Sequence, residues 1–194
     1  MNRQADPLRE PGPPHHGPIP RPASPDDAEA IAAIYNQGID DGHATFETRP
    51  RSPDEIRAWF DDHHPIVVVA AGNRVVAFAA TSTYRPRDCY DGVAEFSVYV
   101  DRGERGRGAG RLAVDALCQA AERAGFHKIL SRVFVENEAS RRLCRSAGFR
   151  EVGVYRRHAR LDGTWRDCVI VERLLGEAAA DPDQEPAQTG TSEA

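Results

Sequence analysis

The chain has 194 residues, 40% of them hydrophobic, and a formal net charge of −5, which allows one domain with its own core and argues against a nucleic-acid partner. Its four cysteines, Cys89, Cys118, Cys144 and Cys168, are widely spaced, form no C-x-x-C pair and follow no secretory signal pattern; they are expected as reduced thiols of a cytoplasmic protein, with no metal bound. Apolar runs such as that from 66 to 71 are far too short to span a bilayer, so no membrane partner is expected.

Residues 1–18, crowded with Pro, Arg and His, and 176–194, an acidic stretch of small and polar residues, have the composition of disordered extensions around a domain at 19–175. A short strand is expected near Ile19 to Ala23. Ser24-Pro25-Asp26-Asp27 starts a helix, with serine as N-cap, proline at the first helical position and acids in the first turn. Ser52-Pro53-Asp54-Glu55 is a capping box that leads into Ile56, Trp59 and Phe60. The loop between, from Gly38 to Pro50, is long enough to suggest a functional role. Three antiparallel strands are expected next. Ile66 to Ala70 and Val75 to Thr83 are joined by Gly72-Asn73, and Glu95 to Val100 follows an irregular segment.

The run Arg105-Gly106-Arg107-Gly108-Ala109-Gly110-Arg111 comes directly after that third strand. Behind it, Ala113, Ala116, Leu117, Ala120, Ala121 and Ala124 recur at helical spacing up to a stop at Gly125. Glycines let a backbone approach a ligand, and the helix start offers unpaired N–H groups and a positive dipole end, so the pattern suits an anion such as a pyrophosphate. A solvated surface loop is the plain alternative. A dinucleotide fingerprint fits poorly because Arg111 stands where its third glycine belongs, and a P-loop fails for want of Lys-Ser or Lys-Thr. An arginine-glycine RNA tract would carry interleaved aromatics, absent here. Beyond the helix a buried strand is expected over Lys128 to Phe134, then a helix from about Ala139 to Ala147 closed by Gly148. Two strands, Phe149 to Leu161 and Trp165 to Leu175, flank the turn Asp162-Gly163. The order αα-βββ-α-β-α-ββ is α+β with a mixed sheet.

Arg105-Gly106-Arg107-Gly108-Ala109-Gly110 matches the acetyl-CoA motif R/Q-x-x-G-x-G/A of the GNAT superfamily of N-acetyltransferases, and the stretch from Asn137 to Gly148-Phe149 matches its second half. Within that superfamily the chain is similar to the phosphinothricin and arsinothricin N-acetyltransferases through Ala44 to Pro50, Tyr84 to Arg87, Tyr90, Val93 to Val100 and Asp162 to Asp167. The resemblance covers about Ile19 to Leu175. It implies a single-domain GNAT fold, with a twisted mixed sheet flanked by helices. It also implies acetyl transfer from acetyl-CoA to the amine of a small acidic amino acid, without an acyl-enzyme, in a homodimer.

By the same resemblance Val98, Val100, Arg105, Gly106, Arg107, Gly108, Ala109, Gly110, Arg111 and Asn137 are expected at the cofactor. Glu95 is expected as general base, its pKa raised by partial burial. Arg85 and Arg87, on one face if their segment is extended, are expected to bind the substrate's acidic groups. Thr45, Phe46 and Tyr99 would wall the substrate pocket. Relatives carry tyrosine or histidine before the Gly-Phe as the acid for the leaving thiolate. Cys144 occupies that place here, with Tyr155 and His158 as further candidates. Methionine sulfoximine, a polyamine, a protein N-terminus, or a non-catalytic acyl-CoA-binding module are the alternatives. The arginine pair argues against a polyamine.

Overall fold

The computed structural model describes residues 17–180. Its elements run β1 Ile19–Pro22, α1 Ala28–Asp40, α2 Pro53–Arg57, β2 Ile66–Ala71, β3 Arg74–Thr83, β4 Val93–Val100, α3 Ala109–Arg123, β5 Lys128–Phe134, α4 Glu138–Ser146, β6 Arg150–Leu161 and β7 Thr164–Leu174. The strands form one seven-stranded sheet in the order β1-β2-β3-β4-β5-β7-β6. Every pairing is antiparallel except that of β4 with β5.

Local chemistry sets the helix starts. Ahead of α1, Asp27 accepts the Ser24 backbone N–H at 2.9 Å and is held by a two-pronged contact to Arg21. Ser52 and Glu55 exchange backbone hydrogen bonds at 3.3 and 2.9 Å in a reciprocal capping box. The second helix is shorter than its apolar pattern suggests: α2 ends at Arg57, and Trp59 and Phe60 pack from beyond it. The first is longer, since α1 takes in Gly38 to Asp40, and the loop begins at Asp41.

Alternation along the strands divides the core into two layers. Val68, Phe78, Ala80 and Tyr99 pack under α1, whereas Val67, Val69, Ala77, Ala79, Ala94 and Phe96 pack under α3. On β4 this sends Ala94, Phe96, Val98 and Val100 toward α3, and Glu95, Ser97 and Tyr99 to the other side. A third cluster joins Phe134, Leu161 and Cys168 to Phe46 in the loop after α1.

One irregularity of the sheet positions the site. The parallel pairing of β4 with β5 covers only Val93, Ala94 and Glu95 against Lys128, Ile129 and Leu130. Beyond Glu95 the strands part, so Phe96 to Val100 are unpaired on that side. The proposed extensions fall mostly outside the described residues, although a 3-10 turn at Gly176–Ala179 continues the chain past β7.

Candidate active site

Three glycines of the 105–111 loop do two different jobs. Gly106 and Gly108 have φ of 77° and 89°, in the left-handed region, with open space where a side chain would stand. Gly110 is needed for closeness, because a Cβ there would lie 3.1 Å from Val100 Cγ2 and 3.2 Å from Leu143 Cδ2. Among the described residues the backbone N–H groups of 106–110 donate to no protein acceptor, and α3 starts at Ala109. A row of free donors therefore meets the positive end of a helix.

These donors border a cleft of about 530 Å³, into which Val98, Val100, Arg105, Gly106, Gly108, Gly110, Arg111 and Asn137 project, while Arg107 and Ala109 do not line it. The arginine side chains are already engaged. Arg105 pairs with Asp41 at 2.6 Å, Arg107 with Glu104 at 3.2 Å and Arg111 with Asp115 at 2.6 Å. Burial pushes the Asp41 carboxyl up, but Arg105 and Arg102 outweigh it and hold the group below its usual range. Anion binding here thus falls first to the backbone. Asn137 is also committed: its Oδ1 caps α4 at the Ser140 N–H and its Nδ2 donates to the His43 carbonyl, each at 3.1 Å.

The cleft continues into a narrow gap of about 50 Å³ between the diverging β4 and β5, sharing Ala44, Val98, Tyr99, Asn137 and Ser140 with it. Arg132 and Cys144 are on the wall of this gap. Ser97 connects it to a third cleft, about 410 Å³, on the α2 side of the sheet. That cleft is walled by Tyr35, Trp59, a Glu47–Arg51 pair at 2.7 Å and an Asp61–His64 pair at 2.6 Å. The gap and the third cleft thus meet the same strand residue, Ser97.

Glu95 stands where β4 and β5 part, its side chain 23% exposed. It is not alone in apolar surroundings, as the expectation of a burial-raised carboxyl requires. Arg132 of β5 donates Nε to Glu95 Oε1 at 2.9 Å and Nη2 to both carboxylate oxygens. Tyr99 is buried against Tyr35 and Phe78, and burial pushes its phenol far above the usual range. Thr45 is a neighbour of its hydroxyl. Phe46 packs edge-on against Phe134 at 4.7 Å and lines none of the three clefts. Arg85 and Arg87 are exposed and line none either. Their segment is not extended: the Arg87 N–H reaches back to the Arg85 carbonyl at 2.9 Å across Pro86, a tight turn that denies the two side chains a common strand face.

The glycine-lined cradle at a helix start, and the strands β4 and β5 that part beside it, lie within the stretch that the family comparison matches. The model of the Acetyltransferase (GNAT) family matches residues 32–149. The chain belongs to the GNAT acetyltransferase family. It is 32% identical to the phosphinothricin N-acetyltransferase of Streptomyces coelicolor, over 80% of this chain and 95% of that one. It is 30% identical to the L-methionine sulfoximine/L-methionine sulfone acetyltransferase of Pseudomonas aeruginosa, over 84% of this chain and 97% of that one. Among solved structures, a GNAT superfamily phosphinothricin acetyltransferase from Sinorhizobium meliloti in complex with AcCoA superposes with a TM-score of 0.78 at 27% identity, covering 90% of this chain and 97% of that one.

In this GNAT N-acetyltransferase the acid for the leaving thiolate is not supplied by an obvious group. Cys144 lies on the gap, but burial pushes its thiol up to about 12. Tyr155 is 53% exposed, its ring 5.2 Å from that of His158, and neither lines the three clefts. Two residues beside the site escaped the sequence. Gly38 is pressed on Tyr99 so closely that a Cβ would lie 2.7 Å from the ring, and Arg132 holds Glu95 from 37 residues away. Neither leaves a local pattern, because each is defined by a partner on another element.

Proposed function

We propose that this GNAT enzyme uses acetyl-CoA to acetylate the amino group of a small acidic amino acid, an antimetabolite of the phosphinothricin or arsinothricin type. The likeness to the Streptomyces coelicolor enzyme along nearly its whole length is the observation that carries the acceptor class. The donor is supported by the AcCoA named with the Sinorhizobium meliloti structure and by the fit of the cradle. Free N–H groups at 106–110 suit a diphosphate, and the unpaired edge of β4 beyond Glu95 offers backbone groups to an amide-bearing arm.

In this reaction the amine nitrogen attacks the thioester carbonyl carbon, the C–S bond breaks, and the electron pair leaves on sulfur. Glu95 takes the proton that the ammonium must lose, directly or through a water. The thiolate gains its proton from solvent. The donor enters from the cradle side, and the acceptor from the opposite face of β4, where Glu95, Ser97 and Tyr99 project. The enzyme works in the cytoplasm, consistent with four free cysteines. It works as a homodimer, for which the exposed Val152, Val154 and Tyr155 of β6 and Trp165 of β7 supply an apolar surface. A second reading, favoured by the Pseudomonas aeruginosa relative, makes methionine sulfoximine the acceptor.

The test is CoA thiol release by the full chain with acetyl-CoA and phosphinothricin, arsinothricin, methionine sulfoximine, spermidine or a peptide. Highest kcat/KM with phosphinothricin or arsinothricin is expected. Highest kcat/KM with methionine sulfoximine supports the second reading, and release only with spermidine or peptide overturns both.

A further inference from the structure

The contact between Glu95 and Arg132 is hard to account for if Glu95 is only a base. A charged side chain interrupts the apolar strand β5, and both its Nε and its Nη2 are spent on the carboxylate that must accept the substrate's proton. Arg132 lines the gap between β4 and β5, yet its side chain is 41% exposed. It therefore stands beside the proposed base and is reachable by a solute.

We propose that Arg132 is a specificity-determining residue, which binds the anionic group of the acceptor and in doing so hands Glu95 over to the acceptor's ammonium. This rests on the proposed function and deepens it. The pair Arg132–Glu95 is neutral, and so is the pair of charges on the acceptor's α-ammonium and α-carboxylate. On binding, the acceptor's α-carboxylate takes the guanidinium fork, whose planar geometry matches it. The ammonium then takes the freed carboxylate. One ion pair becomes two interlocked pairs, and neither Glu95, Arg132 nor the acceptor's α-groups are left without a partner. An amine with no anion must instead separate Glu95 from Arg132 and leave the guanidinium uncompensated, at an electrostatic cost. The clamp thus selects zwitterions before any contact with the rest of the side chain, and it needs neither Arg85 nor Arg87 for that step.

The test compares phosphinothricin with its carboxylate methyl ester, which keeps the amine and loses that anion, using the wild type, R132M and R132K. The wild type is expected to prefer the free acid by about tenfold or more in kcat/KM, the order expected for a charged hydrogen-bonded contact. R132M should lose about that factor with the free acid, change little with the ester and keep its KM for acetyl-CoA. R132K keeps the charge without the fork, and it should lie between; it also serves if R132M does not fold. A preference that survives R132M, or an equal loss with both acceptors, overturns the clamp. A wild type that acetylates neither compound overturns the proposed function, and the clamp with it.

Discussion

The two sides of β4 are built on different plans. On the side proposed for the donor the surface offered to a ligand is backbone: N–H groups at 106–110 without a partner among the described residues and a strand edge left open beyond Glu95. The nearby arginines are paired with Asp41, Glu104 and Asp115. On the side proposed for the acceptor the surface is side chains brought from separate segments, Arg132 of β5 on the gap, beside Glu95 of β4, and Glu47, Asp61 and His64 from the stretches around α2 on the third cleft. A backbone site recognises what all donors share, whereas a side-chain site can change one substitution at a time. Acceptor choice can therefore drift within one fold while the donor is kept.

The sharpest break in this contrast comes at Glu95. Glu95→Gln keeps the shape and removes the proton acceptor. It should lower kcat by about 10²–10⁴-fold, the usual contribution of a positioned acid or base, and leave the KM for acetyl-CoA nearly unchanged. A KM effect on acetyl-CoA with little change in kcat would place Glu95 in the donor site. Gly38→Ala comes next. Its new Cβ would stand 2.7 Å from the Tyr99 ring, which is fixed by Tyr35 and Phe78 at 4.8 and 5.4 Å and cannot withdraw. Overpacking of this kind costs about 1–3 kcal/mol, measurable by urea unfolding. A neutral result would mean that Tyr99 moves freely.

The same contrast explains what the sequence made legible. Glycines at positive φ and a strand running into an alanine-rich helix are local signals, so the loop and the bounds of β5, Lys128 to Phe134, followed from pattern alone. The acceptor side had no such signature. Arg132 passed unremarked inside a strand expected to be buried, because its partner is on β4, in a pairing of only three residues on each strand. Arg85 and Arg87 looked like a matched pair because two-residue spacing implies one face only in an extended segment, and the turn at Pro86 removes that condition. Glu95 suggested a lone half-buried carboxyl for the same reason: burial can be guessed from a strand, but an ion pair across two strands cannot.

Arg105→Ala tests the donor side. If the backbone carries the diphosphate, loss of a side chain already paired with Asp41 should raise the acetyl-CoA KM by less than about tenfold, as for other partly exposed ion pairs. A much larger increase would assign the anion to side chains after all. Cys144→Ala should keep more than a tenth of wild-type kcat, since burial pushes the thiol up to about 12 and leaves it a poor donor near neutral pH. Iodoacetamide at pH 8 should accordingly label the exposed Cys89 and spare the buried Cys144. Complete loss of activity in a folded Cys144→Ala protein would make that thiol the missing acid.

The smallest effect is expected at Asp61, on the wall of the third cleft. Burial pushes its carboxyl up, but the His64 backbone N–H and ring, with the His63 N–H, outweigh it and bring it down to about 2. An unfolded Asp titrates near 3.9, so the unfolded chain binds the proton first. The contribution to stability is complete above that value and is lost as pH falls through about 4 toward 2. The side chain is 46% exposed, which limits the effect to about 1 kcal/mol or less. Asp61→Asn should therefore be slightly less stable than the wild type at pH 6, and the two unfolding curves should converge as the solution is acidified. A difference that widens on acidification would show that the carboxylate is not the species the cleft wall holds.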